Sequence, residues 1–310
     1  FRKVDLNSGA ETKDYLLSLG WEPLEWNTND EGERTSPKLS KEDPFEGLQG
    51  TLGKLIARRV QCRQRRSIIA GLINIVRDDG AIPSVINNLA DTSRATHRNI
   101  VNIPKASSFF GKQMRKMFIA RDGKVLVSTD SDSCQLRMLG GRMGDPAYIN
   151  AIVTGNKDKG TDLHSLTKKI AELESRDIAK NVMYCLLFGG GDPKLGKTAK
   201  KPGEGADIRQ RLYKGFDGLG SHMEELLKYW RSTAKKRWNA KWNKMEYYDG
   251  YIIGLDGRPI KVPFEHQLLV YELQSDEAIM MTAAYVKTFT ELSAKYKWGK
   301  QWAIICFYHK

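Results

Sequence analysis

The sequence predicts a mixed α+β protein in which helices dominate. Two long stretches, Leu52 to Val76 and Leu268 to Leu292, repeat apolar residues at helical spacing. Short apolar runs near Val125, Tyr251 and Ala303 read instead as strands, placed early, in the middle and late. No internal repeat divides the 310 residues, a length that allows about two or three lobes or one large domain with insertions.

Taken in order, residues 27–43 are rich in Asn, Asp, Glu, Ser, Pro and Gly and read as a flexible connection leading into helices. The Leu52 to Val76 helix or helix pair carries Arg58, Arg59, Arg63, Arg65 and Arg66 on one basic face, which is either solvated or tracks a phosphate backbone. Lys124 to Thr129 follows the Asp122-Gly123 turn signal and is expected to be a short buried strand, with a helix almost at once after it. Thr161 or Asp162 caps a helix through about Leu173, and Ser175 caps the next, which runs to Phe188 before Gly189-Gly190-Gly191 and Pro193 stop it. Tyr251 to Val262 reads as a hairpin around Leu255-Asp256-Gly257, and Ala303 to Tyr308 as a last apolar strand.

Composition narrows the function classes. Fifty Lys and Arg against thirty-seven Asp and Glu give a net charge of +13, which favours a polyanionic partner such as nucleic acid. No apolar run approaches the ~20 residues of a membrane helix, so no membrane association is read. The chain opens at Phe1 without a leader of the export type, and it is read as a fragment. Cys62, Cys134, Cys185 and Cys306 lack metal-ligand spacing and read as reduced thiols in a cytosolic compartment.

The run Arg176-Asp-Ile-Ala-Lys180-Asn-Val-Met-Tyr184-Cys-Leu-Leu-Phe188-Gly189 is the most informative. Steps of four set Arg176, Lys180 and Tyr184 along one helix edge, beside an apolar face of Ala179, Val182, Met183 and Leu186. That pattern describes an ordinary amphipathic helix. It equally describes an edge whose two cations neutralise a triphosphate while the ring stacks on a base or sugar. Asp130, Ser131, Asp132 and Ser133 stand where a strand gives way to a helix, and by themselves read as helix-capping residues.

Together these runs resemble the polymerase portion of family A DNA polymerases, nearest the bacteriophage branch. The Arg176 to Gly189 run matches that family's fingers helix, and Thr129-Asp130 to Gln135-Leu136-Arg137 its first palm motif. Thr92-Ser93-Arg94, the Asn99 to Pro104 segment, Arg115, Asp162-Leu163-His164, Gly254 to Arg258 and Leu273-Gln274-Ser275 follow in the family's order, and Gly20 to Pro23 resembles the phage enzymes. The resemblance implies a right-hand fold, with 1–72 thumb-like, 73–139 and 251–310 the two parts of a palm, and 140–250 the fingers. It also implies primer-template DNA and deoxynucleoside triphosphates as partners, two Mg²⁺ ions as cofactor, and the cytoplasm of a bacterial host as location.

In that reading Asp130 is the metal ligand, and Asp130 and Lys180 are catalytic. Gln135, His164, Arg176, Lys180 and Tyr184 bind the nucleotide, whereas Arg94, Asn99, Arg115, Gly189, Arg258, Gln274 and His309 bind DNA. Two departures stand out. Gln135 is an amide where the family carries the carboxylate that blocks a 2′-hydroxyl, and Lys310 follows His309 where the family's third motif has an Asp. An ammonium repels Mg²⁺. The rival readings are a single-subunit phage-type RNA polymerase and a catalytically impaired, polymerase-derived DNA-binding protein.

Overall fold

Ser8 opens the first helix by accepting a hydrogen bond at Oγ from the Glu11 amide (3.3 Å). The computed structural model describes residues 3–23, 25–28, 34–39, 45, 47, 48, 50–100, 103–240 and 243–304. They belong to two compact units, Phe1–Ile86 with His97–Val127, and Asn87–Thr96 with Ser128–Lys310.

The first unit holds α1 (Gly9–Ser18), β1 (Trp26–Thr28), β2 (Arg34–Pro37) and α2 (Gly50–Ile73), followed later in the chain by α3 (Gly111–Lys116). Leu16, Trp21, Phe45, Ile56, Ala57 and Val60 form its core, with the Trp21 and Phe45 rings 5.6 Å apart. The predicted connection over residues 27–43 is partly ordered pairing instead. β1 and β2 run antiparallel, and polar side chains tie them: Asn27 Nδ2 donates to Ser36 Oγ (2.8 Å), and Thr35 Oγ1 to the Asn27 carbonyl (3.2 Å). On α2 part of the basic face is committed internally. Arg59 and Arg63 donate to the Leu6 carbonyl (2.5 and 3.2 Å), buried Arg65 donates to the Phe109 carbonyl (3.1 Å), and Arg58 lies over the Phe109 ring (3.9 Å).

A ribbon of β3 (Val85–Leu89) and β4 (Ala95–Arg98) carries the chain into the second unit and back. The second unit continues with α4 (Cys134–Met143), α5 (Pro146–Val153), α6 (Leu163–Ile170), α7 (Arg176–Leu187), α8 (Asp192–Thr198), α9 (Gly205–Gly215) and α10 (Leu219–Thr233). Two ribbons follow, β5 (Lys235–Asn239) with β6 (Lys244–Tyr248), and β7 (Gly250–Ile253) with β8 (Pro259–Val262), before the long α11 (Leu268–Lys295). The predicted caps are in place: Asp162 Oδ1 accepts from the Ser165 amide (3.3 Å), and Ser175 Oγ from the Ile178 amide (3.2 Å). α4 to α9 and α11 share one core that includes Leu136, Leu139, Tyr148, Leu163, Met183, Leu187, Leu212 and Leu273, and each such fully buried chain contributes about 1.5–3 kcal/mol. The predicted hairpin forms with Ile252 opposite Ile260, both buried, and the Trp230 indole donates to the Val262 carbonyl (2.9 Å).

Two predicted strands differ. Residues 124–130 form no strand, and Val125, Leu126 and Val127 are 83%, 52% and 82% exposed. A strand needs a partner for its backbone groups, and no described strand lies beside this run. Of the Ala303 to Tyr308 strand, Ala303 and Ile304 are irregular and 305–308 lie outside the described residues, as do His309 and Lys310. No helix among the described residues is long and apolar enough to cross a membrane. Cys62, Cys134 and Cys185 are free thiols, as read from their spacing.

Candidate nucleotide and nucleic-acid site

The junction of α6 and α7 is organised by one carboxylate. Asp162 caps α6 and receives both Nε (3.0 Å) and Nη2 (2.6 Å) of Arg176, the first residue of α7. Burial pushes Asp162 up, but the hydrogen bonds from Arg176 and Ser165 outweigh it and hold the carboxyl at about 2. The same bond raises the already basic Arg176. The clamp fixes where the guanidinium sits and leaves part of its fork facing solvent.

One turn along α7, Lys180 is exposed and forms no ion pair with a described residue. Its neighbours on the inner face, Ala179, Val182, Met183, Leu186 and Leu187, are all buried. A helix anchored so fully on one side presents the other as a rigid edge. His164 is 93% buried and its Nδ1 has no hydrogen-bond partner. Burial, followed by the charge of Arg176, pushes the imidazole below its ordinary range, so it is neutral near pH 7. Its ring centre lies 6.4 Å from that of Tyr184, which in turn stacks at 6.1 Å and 17° on Phe188. Arg176, Lys180, His164 and Tyr184 therefore lie near one another: two cations, an orphaned ring nitrogen and an aromatic face.

Gly189 ends this edge at φ +70°, and a Cβ there would lie 1.8 Å from the His266 carbonyl oxygen. Glycine is required at this position by the chain's own packing. Beside the edge, on α4, Gln135 donates from Nε2 to Glu277 Oε2 on α11 (3.0 Å). The Tyr184 phenol is raised first by burial and then by the charges of Asp132 and Glu277, which places both carboxylates in electrostatic reach of the ring. Cys134 is raised by burial first, with Glu277 and Asp130 adding to it.

Asp130 closes the irregular run 124–130, and Asp132 is exposed, its carbonyl accepting from Arg137 Nε (2.9 Å). Among the described residues no three His, Cys, Asp or Glu side chains group as metal ligands. The hard oxygens present suit Mg²⁺ in kind. Among the described residues their number falls short of a two-ion site.

The predicted DNA-binding residues are dispersed. Arg94 sits in the β3–β4 turn, where its carbonyl accepts from the Ala90 amide (2.9 Å). In the first unit Asn99, at φ +74°, donates to the Pro83 carbonyl (2.9 Å), and Arg115 donates to the Pro104 carbonyl (2.8 Å). Arg258 pairs with Asp256 at the β7–β8 turn, and Gln274 is half-buried on α11.

Sequence reasoning missed Glu277 and a charged network behind it. Arg142 on α4 binds Asp276 through Nε (2.8 Å) and Nη2 (2.7 Å) and approaches Glu272 (3.5 Å), while His222 Nε2 on α10 lies 2.7 Å from Glu272. Glu272 and Asp276 are buried, and burial raises Asp276 despite Arg142. The available signal was three acids, 272, 276 and 277, close together in the mostly apolar first half of that helix.

The model of DNA polymerase family A matches residues 2–241. The chain belongs to DNA polymerase family A. Among its family A relatives, the DNA-directed DNA polymerases of Enterobacteria phage T3 and Escherichia phage T7 are each 29% identical over 255 residues, covering 76% of this chain and 35% of theirs. DNA polymerase I of Lactococcus lactis is 25% identical over 261 residues, covering 71% of this chain and 29% of its own. The chain thus spans about a third of the length of these curated relatives. The POL domain of Pol1 from M. smegmatis, solved in complex with DNA primer-template and dNTP, superposes with a TM-score of 0.69 at 18% identity, covering 94% of this chain and 52% of that one. The fold is accordingly the α+β fold of a polymerase domain.

Proposed function

We propose that this chain is the polymerase portion of an enzyme that adds deoxynucleotides, directed by a template, to the 3′-hydroxyl of a DNA primer. The observation that carries the reading is the rigid α7 edge, where clamped Arg176, exposed Lys180 and the unpartnered Nδ1 of His164 converge beside the Tyr184 ring. Arg176 and Lys180 neutralise the triphosphate, His164 bonds a phosphate oxygen, and Tyr184 packs on sugar and base. The remaining residues serve the DNA: Arg94, Asn99, Arg115, Gly189, Arg258 and Gln274 position primer and template by contacts that carry no sequence code. His309 belongs to that set in the same reading.

Asp130 is the residue that would hold Mg²⁺, and two such ions would supply positive charge at the primer hydroxyl and the leaving pyrophosphate. Residues 1–72 act as thumb, 73–139 and 251–310 as palm, and 140–250 as fingers, working in the cytoplasm of a bacterial host. The Gln135–Glu277 pair keeps ribonucleotides in the test, because an amide held by a carboxylate differs from the family's single acid. Primer extension with Mg²⁺, supplying deoxy- and ribonucleotides separately on a defined template, decides the matter. Growth with deoxynucleotides alone is expected. Growth with ribonucleotides alone supports an RNA polymerase, and tight primer-template binding without growth supports a non-catalytic DNA-binding protein.

A further inference from the structure

The β5–β6 ribbon carries a surface that the α7 edge does not use. Its five antiparallel pairs run from Lys235 opposite Tyr248 to Asn239 opposite Lys244, and it joins no other described strand. Directly opposed residues share a face. Lys236, Trp238, Met245 and Tyr247 therefore lie on one side, and Lys235, Arg237, Asn239, Lys244, Glu246 and Tyr248 on the other. Glu246, the one acid within the strands, is held by Arg237 (3.1 Å) and Asn239 (2.6 Å) on the second side. Asp249, just beyond the ribbon, lies between Lys261 (3.1 Å) and Lys235 (3.7 Å).

Within the strands the first side has no carboxylate, although Arg231 beside it pairs with Glu265 (2.9 Å). Tyr247 is flanked there by Lys236 and Arg231, each 5.4 Å from its ring centre, and it packs at the edge of the core around Trp230 and Ile252. Farther out Trp238 is 58% exposed and Met245 48%. A two-stranded ribbon is marginal by itself, and a bare indole on it adds nothing to folding that solvent exposure does not forfeit. Neither Lys236 nor Lys244 forms an ion pair with a described residue.

We propose that this side of the ribbon binds single-stranded DNA. The exposed indole and the phenol behind it offer flat faces to unpaired bases, and Lys236 on the same side meets the phosphates. Bases in a duplex have their faces covered by their neighbours, so the aromatic surface selects a single strand. The excess of cations over acids selects a polyanion. The proposal concerns binding alone and does not depend on nucleotide addition.

The test is equilibrium binding of the intact chain to a labelled oligodeoxythymidylate about a dozen nucleotides long, a length within the usual site size, to a blunt DNA duplex and, separately, to a primer-template with a recessed 3′ end. Trp238→Ala is expected to weaken the single strand by about fivefold to a hundredfold and to leave the duplex unchanged. Trp238→Tyr is expected to restore most of the loss. Lys236→Gln is expected to lower the slope of log affinity against log salt by about 0.7. All these side chains are exposed, so thermal melting should be unaltered. Unchanged single-strand affinity in Trp238→Ala, an equal loss on the duplex, or competition by polyglutamate as effective as by the oligonucleotide overturns the proposal. Absent primer-template binding in the unaltered chain, with single-strand binding intact and sensitive to Trp238, supports the ribbon surface and overturns the polymerase reading instead.

Discussion

The α6–α7 hairpin and the run 124–133 both carry residues assigned to one reaction, yet they are held in opposite ways. α6 and α7 are capped by Asp162 and Ser175, locked to each other by the Arg176 clamp, and buried along Val182, Met183 and Leu186. The run that leads to Asp130 has neither caps nor ladder, and its three aliphatic side chains are exposed. Helical positioning is complete within about a dozen residues of sequence, because its hydrogen bonds are local. A carboxylate on a strand end is placed only when another segment supplies the pairing.

The sharpest way to break this comparison is at Asp130 itself. Asp130→Ala is expected to lower nucleotide addition by about a thousandfold, the scale of losing one preorganised electrostatic contact, with primer-template affinity preserved. Primer extension alongside a binding titration checks it, and unaltered addition would remove Asp130 from the mechanism. Lys180→Ala on the rigid edge is expected to raise the nucleotide concentration needed for half-maximal rate by about ten- to a hundredfold, as for a lost charged hydrogen bond. Steady-state kinetics against deoxynucleotide concentration read this directly.

Smaller effects separate structure from chemistry. Asp162→Asn keeps a capping oxygen but removes the charge that clamps Arg176, and is expected to cost about 1–2 kcal/mol in thermal melts at neutral pH. Because the Asp162 carboxyl is held at about 2, below its ordinary value, its stabilising effect is complete above the ordinary carboxylate range and fades only as pH falls toward 2. The difference between Asp162→Asn and the unaltered chain should therefore be constant from pH 8 to about pH 5 and shrink in stronger acid. A difference that varies near neutrality would point to another group. Glu277→Gln, which leaves a neutral acceptor for Gln135, is expected to be the mildest, changing the ratio of deoxy- to ribonucleotide use by about twofold to fivefold, a difference of about 1 kcal/mol or less between the two bonds. Competition between the two nucleotide classes on one template measures it.

What was legible in the sequence follows the same division. The caps at Asp162 and Ser175, the edge of Arg176, Lys180 and Tyr184, the β7–β8 hairpin and the length of α11 depend on spacing within one element. Each was read from the residues alone. The exposed run at Val125 was misread, since three consecutive aliphatics look alike whether or not a partner strand covers them. Glu277 escaped because its partner Gln135 lies 142 residues away, and Arg142 with Asp276 escaped for the same reason, being 134 residues apart. No periodicity records a pairing across such distances.

The network of Arg142, Asp276, Glu272 and His222 joins three helices around two buried acids, Glu272 and Asp276. Removing one member strands a charge, whereas exchanging a pair for apolar residues of similar bulk is close to neutral. Homologous chains should therefore differ at these positions in concert. A mutational library that varies them singly will score as intolerant a set of sites that is open to paired replacement.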